Sequence, residues 1–562
     1  MERVPEWLRH TLRVRAVPVD RALVVRGAVG MLVPLALGQL AGRPDLGAAA
    51  GLGAYGAAVD DGSAPWRTRA LTLLLPQLGG AIGLALGRAT EGQAWAQILL
   101  VAVVALVSGL LSSIGRVSDM AGLVLLLATA MGLGLPTGPP WWQVPLLFLL
   151  GGLPLMFLSV GGALLRPGRA ERRAVAGAVR AVARLLEATD GTRAERRRAV
   201  TAAMDAAHDA VLARRLSAPR PGSSAARLAE CLDRLVGVIA AVPPARAEVP
   251  AARAACAGAV RGVAAAVEAG VEPQPVPPPP APVDPGDRGL FAAVAELAAP
   301  YPEAGGTLRR VPVPAPPGRR FGAALAGRLR DPAARGQALR LAGCMAAAQA
   351  VASFSGLPRS GWLVLTVALV VRPGLGTVPG RLVPRALGTT AGVLIGLAAG
   401  ALLAPGWWWI AALVVLTGLL QAYGRRTYAV QTLLLTPVML LLADPLGRAG
   451  PAAAEARLLD TLIGCALAFA LGHLLWPEDT RARIPHRLAG LHEAIAEYAR
   501  HADPVVDHAR RRIHRELAAV RAELERLRTD PRHRAALPGW WEELARAEAA
   551  MAGVRGERGS DD

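Results

Sequence analysis

Apolar residues run in long stretches broken by short clusters of Gly, Pro and Arg, without the strict alternation of a strand or the single stripe of a soluble helix. A first set falls near residues 22–42, 46–60, 69–87, 95–112, 119–135 and 143–165, and a second near 338–353, 360–371, 385–404, 407–422, 428–443 and 456–476. A helix needs about 20 residues to cross ~30 Å of hydrocarbon, so most of these stretches predict transmembrane helices. The short ones, 46–60 and 360–371, predict re-entrant, broken or tilted helices. The pattern predicts an all-α polytopic membrane protein with two six-helix blocks, 22–165 and 336–476.

The two blocks read as copies. Val107 to Arg116 aligns without gaps over Leu416 to Arg425 at an offset of 309 residues, and Gly79, Gly83 and Gly87 fall over Gly392, Gly396 and Gly400 at 313. An even number of spans per copy gives both the same orientation, a parallel repeat. Arginine in the short loops sets that orientation. Arg67, Arg69, Arg116, Arg372, Arg381, Arg385, Arg425 and Arg426 lie on one side, against Arg43, Arg88, Arg359 and Arg448 on the other. The positive-inside bias then puts residues 1–21, the intervening region 166–335 and the tail 477–562 in the cytoplasm. The arginine-flanked first apolar run has no A-x-A site closing it, so it reads as a retained helix and not a cleaved leader.

Between the blocks, helical patterns near 169–189, 193–216, 223–242 and 246–270 precede a Pro-rich linker, 272–286, and short helices near 287–299 and 319–330. The tail gives about three amphipathic helices punctuated by Pro504, Pro531 and Pro538.

Composition narrows the function classes. The chain is 53% hydrophobic with a positive mean hydropathy and carries a formal charge of +19. In a soluble protein such charge points to nucleic acid; beside apolar blocks it points to anionic headgroups, so the expected partner is the bilayer and not nucleic acid. The sequence has no lysine, which rules out the phosphate loop G-x-x-x-x-G-K-[ST] and an ATPase of that type. Cys231, Cys256, Cys344 and Cys465 show no metal spacing and read as small apolar packers; no cofactor is expected. No nucleophile with a nearby base suggests an enzyme.

Candidate chemistry lies mostly in the second block. Gly388, Gly392, Gly396 and Gly400 line one helix face and predict close helix packing. Arg372, Arg381, Arg385, Thr389, Thr390, Arg425 and Arg426 gather at one membrane boundary, a vestibule that would draw organic anions from the cytoplasm. Asp460 follows Arg457 at i, i+3, a spacing that permits an ion pair, read either as a titratable coupling site or as a structural pair. Asp60, Asp61 and Asp119 read as snorkelling or N-capping residues. His473 reads as an interfacial anchor, and Trp141, Trp142, Trp407, Trp408 and Trp409 as an aromatic belt.

Trp362, Thr366, Arg372-Pro373, Arg385-x-x-Gly388-Thr389-x-x-Gly392, the Tyr423 to Thr436 stretch, Arg457-x-x-Asp460-Thr461-x-x-Gly464 and Leu475-Trp476-Pro477 together resemble the fusaric-acid-resistance-like (FUSC) family. That family is similar in layout to aromatic acid exporters and, more distantly, to malate channels of plants. The resemblance implies gradient-driven efflux of small organic anions, often aromatic carboxylates, across a bacterial plasma (inner) membrane. Arg372, Arg385 and Arg425 would attract the carboxylate, and Arg457 with Asp460 would sense protons or gate. An anion channel and a non-transporting membrane scaffold stay open as alternatives, as does assembly into a homo-oligomer.

Overall fold

The structure is a computed structural model. It describes residues 19–61, 65–90, 92–134, 140–189, 192–214, 224–242, 251–275, 285–300, 317–356, 361–372, 378–443, 450–475, 480–500, 513, 516–517, 519–521, 523–525, 527–528 and 535–558. Most of the predicted linker, the Arg372-Pro373 loop beyond Arg372, and Trp476-Pro477 lie outside them. The described residues contain helices and no strand. They divide into two compact units, one of Met1–Asp61, Thr72–Leu158 and Gly318–Asp562, the other of Gly62–Leu71 and Ser159–Pro317.

In the first unit, α1 (Arg21–Leu40), α2 (Pro44–Asp60), α3 (Trp66–Ala89), α4 (Ala94–Ser112), α5 (Arg116–Leu133) and α6 (Gln143–Leu164) occupy the first set of apolar stretches; α3 and α6 each run on into the second unit. The second set is occupied by α13 (Pro332–Phe354), α14 (Gly361–Val371), α15 (Val378–Leu402), α16 (Trp407–Tyr423), α17 (Tyr428–Ala443) and α18 (Gly450–Phe469), which closes in a π-turn at Ala470–Leu474. Among the described residues, seven helices are long and apolar enough to cross a membrane: α1, α3, α4, α5, α6, α15 and the Ala454–Leu474 stretch; α14, α16 and α17 are shorter apolar helices. Prolines at 34, 76, 154, 384 and 437 sit inside these helices. Packed neighbours satisfy the backbone groups such prolines free, which is how membrane helices tolerate them.

With lipid as apolar as leucine, these helices need close backbone contact more than a greasy face. A Cβ at Gly83 or Gly87 would run into the backbone of Leu125 and Thr129 on α5, and one at Gly79 would lie 2.9 Å from the Ala121 carbonyl oxygen. In the other half, a Cβ at Gly392 would lie 2.6 Å from the Leu433 carbonyl oxygen of α17, and one at Gly396 would lie 2.9 Å from Leu440. Leu433 is four residues before Pro437, whose missing N–H leaves that carbonyl without its helical donor. Glycine on α15 therefore lets a neighbouring backbone come up against an exposed acceptor.

Contacts between the halves are reciprocal. Helix α1 packs on α16 while α13 packs on α4; α2 meets α17 while α14 meets α5. Within the second half α18 packs on α14 and α15. In the first, Gly151 of α6 abuts Ala50 of α2, and Gly152 abuts Gln77 of α3.

The second unit holds α7 (Arg169–Leu186), α8 (Arg193–Arg214), α9 (Ser224–Ala241), α10 (Ala251–Ala269) and α11 (Pro285–Ala298). These are strongly one-sided helices of Ala, Leu and Arg, and Val175, Val179, Val182, Leu232, Leu235, Val260 and Leu290 are buried in their shared core. Cys231 and Cys256 lie in that core, and Arg180 pairs with Glu268 across α7 and α10 at 2.6 Å. After the membrane helices of the first unit, α19 (Thr480–Arg500) and α20 (Leu537–Arg558) share a small core of Ile484, Leu488, Leu491, Trp540 and Leu544. The remaining helix, α12 (Pro317–Arg330), precedes α13.

Candidate functional site

Four helices of the second half, α14, α15, α17 and α18, enclose a group of buried polar side chains: Thr366, Arg385, Thr389, Arg457, Asp460 and Thr461. Helical spacing explains which residues share the site. Arg385 and Thr389 lie one turn apart on α15; Arg457, Asp460, Thr461 and Gly464 recur at i, i+3, i+4 and i+7 on α18. Gly464 lets α18 close on α14, since a Cβ there would lie 2.8 Å from the Thr366 side chain.

The group is under-satisfied. Arg385, 1% exposed, donates long bonds from Nη1 to the Tyr428 hydroxyl at 3.3 Å and from Nη2 to Thr366 Oγ1 at 3.4 Å, and its Nε has no partner. Arg457 lies with its guanidinium carbon 4.2 Å from the Trp362 ring centroid, a cation–π contact, while Nε and Nη1 make no hydrogen bond. Asp460 Oδ2 and Thr389 Oγ1 are likewise buried without partners. Arg457 and Asp460 do not close to ion-pair distance, since Arg457 stacks on Trp362, but they stay near enough for charge attraction.

Two guanidiniums and one carboxylate leave one positive charge in excess. A charge at the centre of a bilayer costs at least ~2.5–3.5 kcal/mol on insertion scales, so unmet donors here need a reason. An anion between Arg385 and Arg457 would meet that excess with charge-assisted bonds, and Trp362 and Tyr428 offer flat apolar faces beside it.

The other candidate residues are placed elsewhere. Arg372, at the end of α14, ion-pairs with the Asp119 carboxylate of α5 and donates to the Asp119 carbonyl at 2.8 Å. Arg381 donates to the carbonyl oxygens of Leu369 and Arg372. Arg425 donates to the Asp61 carbonyl at 2.8 Å, and the Asp61 carboxylate accepts from Arg26 Nε at 2.6 Å. Asp61 and Asp119 are therefore links between the halves, not snorkelling or N-capping residues. The spacing of either residue alone does not reveal this, because Arg372 and Arg425 lie in the opposite half. Of the four spaced glycines, Gly388, Gly392 and Gly396 face α17, while Gly400 has open space where a Cβ would be.

Trp141, Trp142, Trp407 and Trp408 are exposed, but Trp409 is buried and donates from Nε1 to the Leu403 carbonyl at 3.0 Å, so it does not belong to an exposed belt. His473 is buried in the π-turn and stacks on Phe469. No His/Cys/Asp/Glu group able to hold a metal occurs among the described residues. Tyr428 as a partner of Arg385, and Trp362 as the surface under Arg457, were not legible as site residues from spacing; the recurring i, i+3, i+4 polar positions on α18 were the available signal.

The first half also buries arginines, Arg69 and Arg88, on its third helix. That helix also carries Gln77, which donates to the Gly53 carbonyl at 2.7 Å, and Phe148 of α6 fills the space against Gly53, Gly56 and Gly80.

Fold and site together define an all-α, multi-pass membrane protein with a buried cationic cluster. Residues 345–471, which hold all of that cluster, match the fusaric acid resistance protein-like family (FUSC_2). The chain is similar to the inner membrane protein YccS of Escherichia coli (strain K12), 31% identical over 168 residues, or 29% of this chain and 22% of that protein. It is also similar to the uncharacterized protein YhfK of the same organism, 32% identical over 145 residues, or 25% and 21%. An uncharacterized protein of Haemophilus influenzae is 36% identical over 118 residues, or 21% and 16%. The matched stretches thus span about a fifth of the length of these curated relatives. No solved structure matches.

Proposed function

We propose that this protein is a gradient-driven exporter of small organic anions, aromatic carboxylates among them, and that Arg385 and Arg457 form its substrate site. One observation carries the reading: within the FUSC-like region, two buried guanidiniums keep unpaired donors beside Trp362 and Tyr428, with a buried carboxylate, Asp460, next to them. The carboxylate of the substrate takes the donors, and its ring lies against the aromatic faces. Asp460 exchanges a proton as the anion enters or leaves, so the pH gradient drives export. The absence of lysine, and with it of the P-loop, agrees with a gradient as the energy source.

The two halves are proposed to be copies of one six-helix unit, on the strength of the paired glycine faces and the reciprocal contacts. Arginine distribution favours both termini and the second unit on the cytoplasmic side of the inner membrane.

The test is flux in proteoliposomes against aromatic and aliphatic carboxylates, with a pH gradient and a voltage imposed separately. Uphill movement that follows the pH gradient and disappears in Asp460→Asn supports a coupled exporter. Downhill, voltage-following flux that survives Asp460→Asn makes the protein an anion channel. No flux with any member of the panel contradicts the transport reading.

A further inference from the structure

Helix α12 is covered by no other helix among the described residues. Its sequence from Pro317 is Pro-Gly-Arg-Arg-Phe-Gly-Ala-Ala-Leu-Ala-Gly-Arg-Leu-Arg. Phe321, Leu325 and Leu329 recur at i, i+4 and i+8, which aligns them along one stripe that Arg328 borders at i+7, while Arg319 and Arg330 fall on the opposite face. Phe321 is 42% and Leu329 48% exposed, Leu325 is partly buried, and no helix among the described residues packs along α12.

The joint to α13 fixes where this helix lies. Asp331 is extended (φ −74°, ψ 112°), caps α13 through the Ala333 amide at 2.9 Å, and pairs with Arg328 at 3.5 Å; Pro332 follows. Proline at the first turn starts a helix and cannot continue the one before it, so the chain turns at a single residue. Two turns later Ala338 meets Gly109, close to the Ser112 end of α4. The α12–α13 joint therefore sits at the bilayer boundary where α4 ends and Arg116 begins α5. A one-sided helix held at that depth, with arginines along its polar face, matches the physics of an interfacial helix.

We propose that α12 lies in the membrane surface, with Phe321, Leu325 and Leu329 sunk into the acyl boundary and its arginines on the headgroups of anionic phospholipids. The helix anchors the connection between the second unit and the membrane helices to the lipid surface. Each arginine near an anionic surface strengthens the attachment roughly fivefold.

The test places single nitroxide labels at positions 320–330 of the full chain, in a background with Cys231, Cys256, Cys344 and Cys465 replaced by alanine. The protein is reconstituted in nanodiscs of phosphatidylcholine with or without phosphatidylglycerol. The expected result is oxygen accessibility that peaks at 321, 325 and 329 and aqueous nickel accessibility that peaks between them, with the contrast stronger when phosphatidylglycerol is present. Arg319→Gln with Arg330→Gln should weaken the lipid preference without moving the peaks. Uniform aqueous accessibility in both lipids overturns the proposal, as does exclusion of both reagents from the stripe, which marks a protein partner. A contrast indifferent to phosphatidylglycerol overturns the anionic-lipid assignment.

Discussion

Arg385 and Arg457 are the residues on which the functional reading turns. Both are long cationic side chains buried deep in a helical core, and neither has the bidentate carboxylate partner that usually keeps arginine inside a protein. Removing such a group relieves a penalty, so Arg385→Gln should leave thermal stability unchanged or raised while abolishing flux by tenfold or more. A structural arginine would behave in the opposite way, with stability falling together with flux. Ordinary ion pairs elsewhere give a reference. The Arg180 guanidinium beside Glu268 holds that carboxyl below its ordinary range. A carboxylate with a depressed folded value adds stability above its unfolded pKa and loses it as pH falls through the folded one. The Glu268→Gln variant should therefore melt below the parent at neutral pH and converge with it in acid. Melting curves across that range check this, and a gap that persists in acid would contradict it.

At the scale of elements, glycine faces decide how the helices meet. Gly392 sits against a carbonyl that Pro437 has deprived of its donor, so a side chain there must push α15 away from α17. Gly392→Val should cost roughly 1–3 kcal/mol of stability as an overpacked contact, whereas Gly400→Ala, with open space around it, should be neutral or slightly favourable. Denaturation of the reconstituted protein separates the two. This much was legible in the sequence, because spaced glycines in an apolar run have a direct steric meaning. That Gly400 faces no neighbour was not, since the spacing gives the stripe but not the point where the partner helix stops. Helical segments were likewise legible as apolar runs. The placement of Trp409, buried beside two exposed tryptophans, depends on helix phase at a terminus, which a cluster of three identical residues does not reveal.

For the whole molecule, the consequential contacts join residues hundreds of positions apart. Arg372 with Asp119, and Arg425 with the Asp61 carbonyl, tie the two halves together. In the sequence these looked like independent boundary charges, because the positive-inside bias accounts for arginines singly and says nothing about partners. Asp119→Arg and Arg372→Asp should each destabilise the protein by about 3–5 kcal/mol, the usual cost of stranding a buried charge. Combining them should restore part of that loss, a coupling of roughly 0.5–3 kcal/mol. Simple additivity would mean the pair contributes no link.

The central claim is that Arg385 and Arg457 hold the carboxylate of a transported anion. Flux of an aromatic carboxylate into vesicles containing wild type, Arg385→Gln or Arg457→Gln, under an imposed pH gradient, tests it most directly. The account predicts uphill transport by the wild type and its loss in both folded variants. Undiminished transport by either variant would contradict it.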